Sequence, residues 1–214
     1  MFIAPEGFSN IIPVVGLSII FWALYRRYRR ITIIPGVVFT VISLFALFFF
    51  RDPVREITPG GNVILSPADG IILPFDYYQY ADGTKTPMLS IFLSPLNVHI
   101  NRSAVTGKII AVEKRTGMYL PAYRPEAAEK NEMNVITVQT EYGVVVMRQV
   151  VGFIARRLVC NFKPGQMVTA GQRMGLMKFG SRMDLILPSN IEIKVKPGEK
   201  VKAGQSIIGV WIEN

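Results

Sequence analysis

Two long stretches without a charged side chain stand at the start of this chain and constrain it more than anything that follows. Residues 7–25 (GFSNIIPVVGLSIIFWALY) and 31–50 (ITIIPGVVFTVISLFALFFF) are separated only by RRYRR. Each is close to the ~20 residues that a helix needs to cross a bilayer. In the second stretch the Ile, Val, Leu and Phe side chains each favour insertion by roughly 0.3–0.6 kcal/mol, enough to outweigh local disruption at Pro35-Gly36, and a membrane helix is expected there. The first stretch carries Pro13, Gly16, Ser9 and Asn10, so an interfacial or re-entrant helix fits it as well as a full span. A removable signal peptide is disfavoured, because Met1–Gly7 has no basic region and hydrophobic sequence resumes after the arginines. If both stretches span, RRYRR and the basic junction RDPVR (51–55) fall on opposite sides, against the positive-inside rule. A hairpin dipping into one leaflet, with all these arginines at one headgroup layer, removes that conflict.

The chain has 214 residues, 50% hydrophobic and only 18% charged, which excludes intrinsic disorder. A single cysteine, Cys160, excludes a disulfide framework and a Cys-based zinc cluster, and reads as a small buried hydrophobe. A single histidine, His99, excludes a multi-histidine metal centre, so no metal is expected. The formal net charge is +9. Residues 58–214 hold 18 basic and 12 acidic side chains with no dense basic tract. Beside a greasy N-terminus, an anionic membrane surface or a phosphate-bearing substrate accounts for this better than nucleic acid.

The segment 1–57 is therefore taken as a membrane-associated helical segment and 58–214 as a second domain. From Thr58 onward, short β-branched runs such as NVIL, MLSIFL, KIIAVEK and NVITVQT alternate with Gly, Pro and Asn turn signals. Only RPEAAEKNE (124–132) has a helical look. This is a mainly β domain. Near its end, KPGQMVTAGQRMG (163–175) and KPGEKVKAGQSIIG (196–209) share K-P-G-x-x-V-x-A-G-Q. Paired turns of this kind suit a pseudo-symmetric β-sandwich and resemble the barrel-sandwich of biotinyl/lipoyl carriers, which present a lysine between two such halves. Lys178 lies between these repeats, so a membrane-anchored, non-catalytic binding or adaptor module is one reading of the chain; an ordinary solvated lysine is the plainer reading of Lys178.

Four further signals run in order: FFRDPVR (49–55), SPADG (66–70), SPLNVHINR (94–102) and FGSR (179–182). Behind a hydrophobic N-terminus, and with PAYRPEAAEKNEMN and ARRLVC between them, the set resembles the phosphatidylserine decarboxylase family in its short bacterial/archaeal form. The resemblance implies a proenzyme that cuts itself between Gly180 and Ser181, leaving chains 1–180 and 181–214 associated as a heterodimer, with a possible higher oligomer. It implies a pyruvoyl cofactor made from Ser181, with no PLP and no metal. It further implies conversion of phosphatidylserine to phosphatidylethanolamine and CO2, or the same step on the archaeal ether-lipid analogue archaetidylserine, which shares the phosphoserine head, through a Schiff base to that group, at the cell membrane and on its cytoplasmic face.

The residues can be asked whether they suit that chemistry. Gly180 puts no side chain on the acyl side of the bond, so the turn can strain and the Ser181 hydroxyl can reach the carbonyl carbon. Serine is a weak nucleophile and needs an adjacent base, itself oriented by a third group. His99 suits the base and Asp69 the orienting carboxylate, which gives Asp69, His99 and Ser181 as a triad defined by role. Many members of the family carry H-x-x-H here, whereas His99 is followed by Arg102. Either His99 serves both self-cleavage and decarboxylation, or another group, such as water, takes one role. Arg102, Arg156 and Arg157 are candidates for the substrate's phosphate or carboxylate, which a planar guanidinium fork matches. A serine hydrolase fits poorly, since FGSR lacks the G-x-S-x-G elbow.

Overall fold

The arginine-rich run between the two apolar stretches is where the helix turns back on itself. In the computed structural model Phe8–Phe49 is helical except at Tyr28, whose φ of −128° and ψ of 43° break the ladder. Either side of that break the chain meets itself. Phe21 stacks on Phe39 at 5.5 Å, the Trp22 Nε1–H donates to Thr40 Oγ1 at 2.9 Å, and the Ser18 and Thr40 hydroxyls are 2.8 Å apart. Residues 18 and 40 of a straight helix would lie about 33 Å apart, so these are two antiparallel arms. At the open end Phe2–Ile3 pairs antiparallel with Arg51–Asp52, and the Ala4 amide donates to the Phe50 carbonyl at 2.8 Å. Exposure in the hairpin is inverted: Ile12, Ile31 and Val41 face outward, while Ser18, Thr32, Gly36, Ser43 and Ala46 are buried between the arms. Small residues let two backbones approach where the surrounding solvent is as apolar as leucine.

The hairpin corrects one expectation. Each arm is roughly 20 residues and so about 30 Å long, the thickness of a hydrocarbon core. The Arg26–Arg30 tip and Arg51 at the open end are separated by that length, so a hairpin of this kind does not bring all its arginines to one headgroup layer.

The structure describes residues 2–153, 157–178 and 181–212, with Ser181 described by its backbone alone. Two units divide the chain, Met1–Val54 and Arg55–Asn214. The second is mainly β, and the described residues as a whole are 39% strand against 24% helix. Among the described residues its largest sheet has nine antiparallel strands, with Ser181–Ile186 in the interior between Val144–Val151 and Lys85–Leu93. Period-two alternation sorts the two faces of Ser181–Ile186. Met183 and Leu185 enter the main core with Leu89, Ile91, Ile136 and Met147. Arg182 and Asp184 face the other way, into a buried charge cluster. Asp184 accepts from Arg182 Nε at 2.5 Å and Arg148 Nη2 at 2.8 Å, and Arg182 Nη2 donates to Ser90 Oγ at 2.6 Å. The strand is thus tied by side chains as well as backbone to both neighbours. The helix expected over 124–132 is only Ala127–Lys130; Pro125 lacks an amide donor, and no side chain caps the N-terminus.

The internal repeat extends further than its sequence signature. Gly204 and Gly171 amides donate to Ser66 and Ser103 carbonyls, both at 2.8 Å, and Gly198 and Gly165 amides donate to Ile72 and Ile109 carbonyls, both at 2.8 Å. Strand Val63–Leu65 pairs with Ile207–Trp211 as Ile100–Arg102 pairs with Arg173–Lys178, each with an irregularity at the same place. The Leu65 amide donates to the Ala104 carbonyl, and the Arg102 amide to the Pro67 carbonyl, both at 2.9 Å. These bonds are reciprocals across a pseudo-two-fold axis. Residues 63–72 with 196–211 form one half-unit, and 100–109 with 163–178 form the other. Gly70 and Gly107 are matched: a Cβ on either would lie 2.3 Å from a backbone carbonyl oxygen, of Phe92 and Gln139 respectively.

Candidate active site

The turn Ser66–Gly70 is held by a hydrogen bond from Ser66 Oγ to the Ala68 carbonyl at 2.7 Å, which leaves Asp69 at its corner, 8% exposed. One oxygen of Asp69 accepts from the Ala203 amide at 2.9 Å. The matched bond in the other half-unit runs from the Ala170 amide to Thr106 Oγ1, also at 2.9 Å. A hydroxyl therefore suffices for the structural role, and the carboxylate at 69 is in excess of it. Its other oxygen accepts from Arg55 Nη2 at 2.7 Å, and Arg55 Nη1 donates to Gln205 at 2.8 Å. Arg55 belongs to the segment after the hairpin, which is clamped on the pseudo-two-fold axis. Ile57 lies against Gly171 and Gly204, both with positive φ, and Thr58 bonds to the Gly204 and Gln205 carbonyls.

His99 is fully buried. The Met177 amide donates to its carbonyl at 3.1 Å, extending by one residue the ladder in which Ile100 faces Leu176. Its Nδ1 lies 3.0 Å from the Asn97 carbonyl oxygen. A carbonyl only accepts, so Nδ1 carries the hydrogen, and in the neutral ring Nε2 is the nitrogen with the acid–base lone pair. Asn97 is fixed in turn, since its side-chain oxygen accepts from both the Ser94 amide and the Ser94 hydroxyl, at 2.9 and 2.8 Å. The imidazole thus has a backbone orienter that no sequence motif announced. Among the described residues Asp69 accepts from Arg55 and Ala203, and each oxygen keeps a second lone pair.

Asn101 follows His99 by two residues, on the same side of the extended chain. It too is fully buried. Its Oδ1 accepts from Gln149 Nε2 at 2.9 Å, and Gln149 accepts from Asn134 at 3.0 Å, but Asn101 Nδ2 has no partner among the described residues. A buried amide donor without an acceptor is costly, and it suits a carbonyl or carboxylate oxygen supplied during the chemistry. Gln149 precedes by two residues Val151, which pairs with Ser181. Asn101 was missed by sequence reasoning, because one Asn in a strand carries no motif.

Gly180 and Arg156 lie outside the described residues, as does the side chain of Ser181. The Ser181 backbone opens its strand between Val151 and Leu93. Arg102 sends Nη1 to the Gly171 carbonyl at 3.0 Å, on the face of its strand opposite His99 and Asn101. Arg157 is exposed and pairs through its backbone with Lys178. Lys178 is only 7% exposed, at the end of Arg173–Lys178. It is neither a solvated lysine nor the projecting hairpin tip that a carrier's modifying enzyme would need. One titration direction bears on the neighbouring edge strand: burial pushes the Cys160 thiol up, more than its backbone hydrogen bond lowers it.

Comparison with known proteins agrees with the ordered motifs. A family model described as phosphatidylserine decarboxylase matches residues 42–209. The phosphatidylserine decarboxylase proenzyme of Chlorobaculum tepidum is 38% identical over 214 residues, covering 98% of each chain. That of Geotalea uraniireducens is 39% identical over 212 residues, covering 98% of this chain and 92% of its own. That of Solibacter usitatus is 45% identical over 168 residues, covering 78% and 79%.

Proposed function

Since the chain belongs to the phosphatidylserine decarboxylase family, we propose that it matures by cutting itself before Ser181 and then decarboxylates phosphatidylserine to phosphatidylethanolamine. The observation that carries this reading is the buried His99, fixed through Nδ1 on the Asn97 carbonyl and laddered to the segment that runs on into Ser181.

In scission the Ser181 hydroxyl gives its proton to a base, and its oxygen attacks the carbonyl carbon of residue 180. The amide nitrogen leaves with a proton, which converts the peptide bond to an ester. Loss of the Cα proton at 181 expels residue 180 as a carboxylate and leaves dehydroalanine. Its enamine tautomerises, and water hydrolyses it with release of ammonia to give the pyruvoyl group. His99 Nε2 is assigned the proton transfers. Asn101 Nδ2 is assigned as donor to the oxygen that gains negative charge, where a preorganised donor counts most. Asp69, with Arg55 holding it, supplies the negative charge that stabilises the protonated imidazole.

The residues present fit a pyruvoyl group, because an orphaned buried donor is what a ketone or carboxylate oxygen needs. Once formed, that group supplies a carbonyl to capture the substrate's amine and an electron sink for the pair left when CO2 departs. The chain's own part is to bind the phosphate and exclude water, with Arg156 and Arg157 as the candidate phosphate ligands, since Arg102 is turned to the face opposite His99 and bonded to the Gly171 carbonyl, and to return a proton from His99 to the substrate carbon. Chain 181–214 stays bound to chain 1–180 as a heterodimer, because Ser181–Ile186 is an interior strand tied by Arg148, Arg182 and Asp184. The hairpin holds the domain at a membrane, and we place it on the cytoplasmic leaflet, where anionic lipids suit the domain's basic excess.

The test is conversion of phosphatidylserine in vesicles by purified protein, followed as CO2 release. Wild type is expected to be active and Ser181→Ala to be uncut and inactive. An active, cut Ser181→Ala protein overturns the reading.

A further inference from the structure

The two backbone neighbours of Ser181 each lead into a loop with an exposed large hydrophobe. Leu93 is followed by the turn that carries Leu96, 67% exposed, and Val151 by the loop that carries Phe153, also 67% exposed. A third loop is pinned to the same place. Asn131 donates to the Val151 carbonyl at 2.9 Å and to the Leu120 carbonyl at 2.8 Å, and accepts from the Leu120 amide at 2.9 Å. That loop exposes Met118 and Tyr123, the latter edge-on to Phe92 at 6.2 Å, and Phe92 pairs with Arg182. The end of the sheet where the reacting strand begins is therefore fringed by Leu96, Met118, Tyr123 and Phe153, drawn from three separate segments. Soluble surfaces expose such side chains singly, whereas a cluster at one end marks an interaction site.

We propose that this fringe is a membrane-docking surface of the β domain, in which Leu96 and Phe153 enter the lipid interface and Tyr123 lies at headgroup level. The inference rests on the decarboxylase reading for its occupant. A two-chain phospholipid does not leave its bilayer, so its headgroup can reach residue 181 only if this end of the sheet meets the membrane surface. Tyrosine suits that boundary, with an apolar ring and a polar tip. The hairpin tethers the domain near a bilayer without choosing which side of it faces the lipid; three apolar loops around the reacting strand make that choice.

Two measurements on the full chain in phosphatidylserine/phosphatidylcholine vesicles test this. Spin labels are placed at Leu96→Cys or Phe153→Cys in a Cys160→Ser background, with Ile110→Cys as an exposed apolar control on another strand. The labels at 96 and 153 are expected to collide more with oxygen than with a water-soluble nickel chelate, and the label at 110 to do the reverse. Water-like accessibility at 96 and 153 overturns the proposal, and so does shielding from both reagents, which would mean coverage by a second copy. In the second measurement, Leu96→Glu/Phe153→Glu is expected to lose about tenfold or more activity on vesicles. Self-cleavage and turnover of a short-chain, water-soluble phosphatidylserine should stay within about twofold of wild type. Equal loss on both substrates, or none on either, refutes docking. A wild-type protein inactive on both substrates would sink the decarboxylase reading, while the spin labels still decide docking.

Discussion

Laid over one another, the two half-units of the β domain agree wherever the fold needs them and part company where the chemistry is proposed. Both keep the Ser-to-carbonyl turn bond, the glycine that crowds a neighbouring strand's carbonyl, and the paired Gly-amide bonds of the K-P-G and A-G-Q turns. Among the matched positions at which they differ, three concern the candidate site residues. Asp69 stands opposite Thr106, Asn101 opposite Ile64, and Arg102 opposite Leu65. Ile64 and Leu65 are fully buried in ordinary apolar surroundings. One half-unit thus shows what the scaffold requires, and the polar residue in the other is what the scaffold does not explain. A duplicated fold carries its own control.

That comparison can be broken by exchanging the matched residues. The largest effect is expected from Asp69→Thr, which keeps an acceptor for the Ala203 amide but removes the carboxylate. Scission should slow by about a hundredfold to a thousandfold, as when one preorganised electrostatic stabiliser is lost, while Thr106→Asp matures normally; a gel time course reads both. Maturation of Asp69→Thr at the wild-type rate would place Asp69 among the structural residues. Next come Gly70→Ala and Gly107→Ala, each forcing a Cβ onto a carbonyl 2.3 Å away. Each should cost about 3 kcal/mol, a fall of roughly 6–12 °C in melting temperature, and the two falls should match. A large inequality would deny the equivalence of the halves.

Smaller still, Asn101→Ile installs the residue of the other half-unit. It removes an orphaned buried donor but also the acceptor of Gln149 Nε2, so the two effects oppose and the melting temperature should change little, whereas decarboxylation should drop by about tenfold to thirtyfold. Unchanged activity would return Asn101 to the core. The smallest effect concerns Cys160, matched to Ile193 across the axis through their pairings with Gly175 and Gly209. Burial raises its thiol, so at pH 8 it stays more protonated than a free cysteine, and alkylation should be slow and accelerate only at higher pH. Labelling as fast as that of a free thiol would show the site to be open.

Hydropathy made the membrane segment legible, and Tyr28 inside RRYRR coincides with the point where the helix reverses. The β character and the K-P-G…A-G-Q repeat were legible too, because turn chemistry is local. The upstream part of the repeat was not: SPADG and SAVTG share only a serine and a glycine, too little to stand out. The ordered motifs brought Asp69, His99 and Ser181 forward, yet they could not show where each side chain finds its partners. Arg55 meets Asp69 because the segment after the hairpin is clamped between two distant turns, and sequence alone does not encode that closure. The Asn97 carbonyl was invisible for a simpler reason, since every residue has one. Asn101 declared itself only through burial.

The central claim is that the backbone breaks ahead of Ser181 and leaves a keto group there. Intact-mass spectrometry of freshly purified wild-type protein tests it most directly. The account predicts two species, residues 1–180 and residues 181–214, the shorter with a blocked N-terminus that reacts with a carbonyl reagent such as hydroxylamine. A single unbroken chain of 214 residues with an unmodified serine at 181, in protein that is otherwise folded, would contradict it.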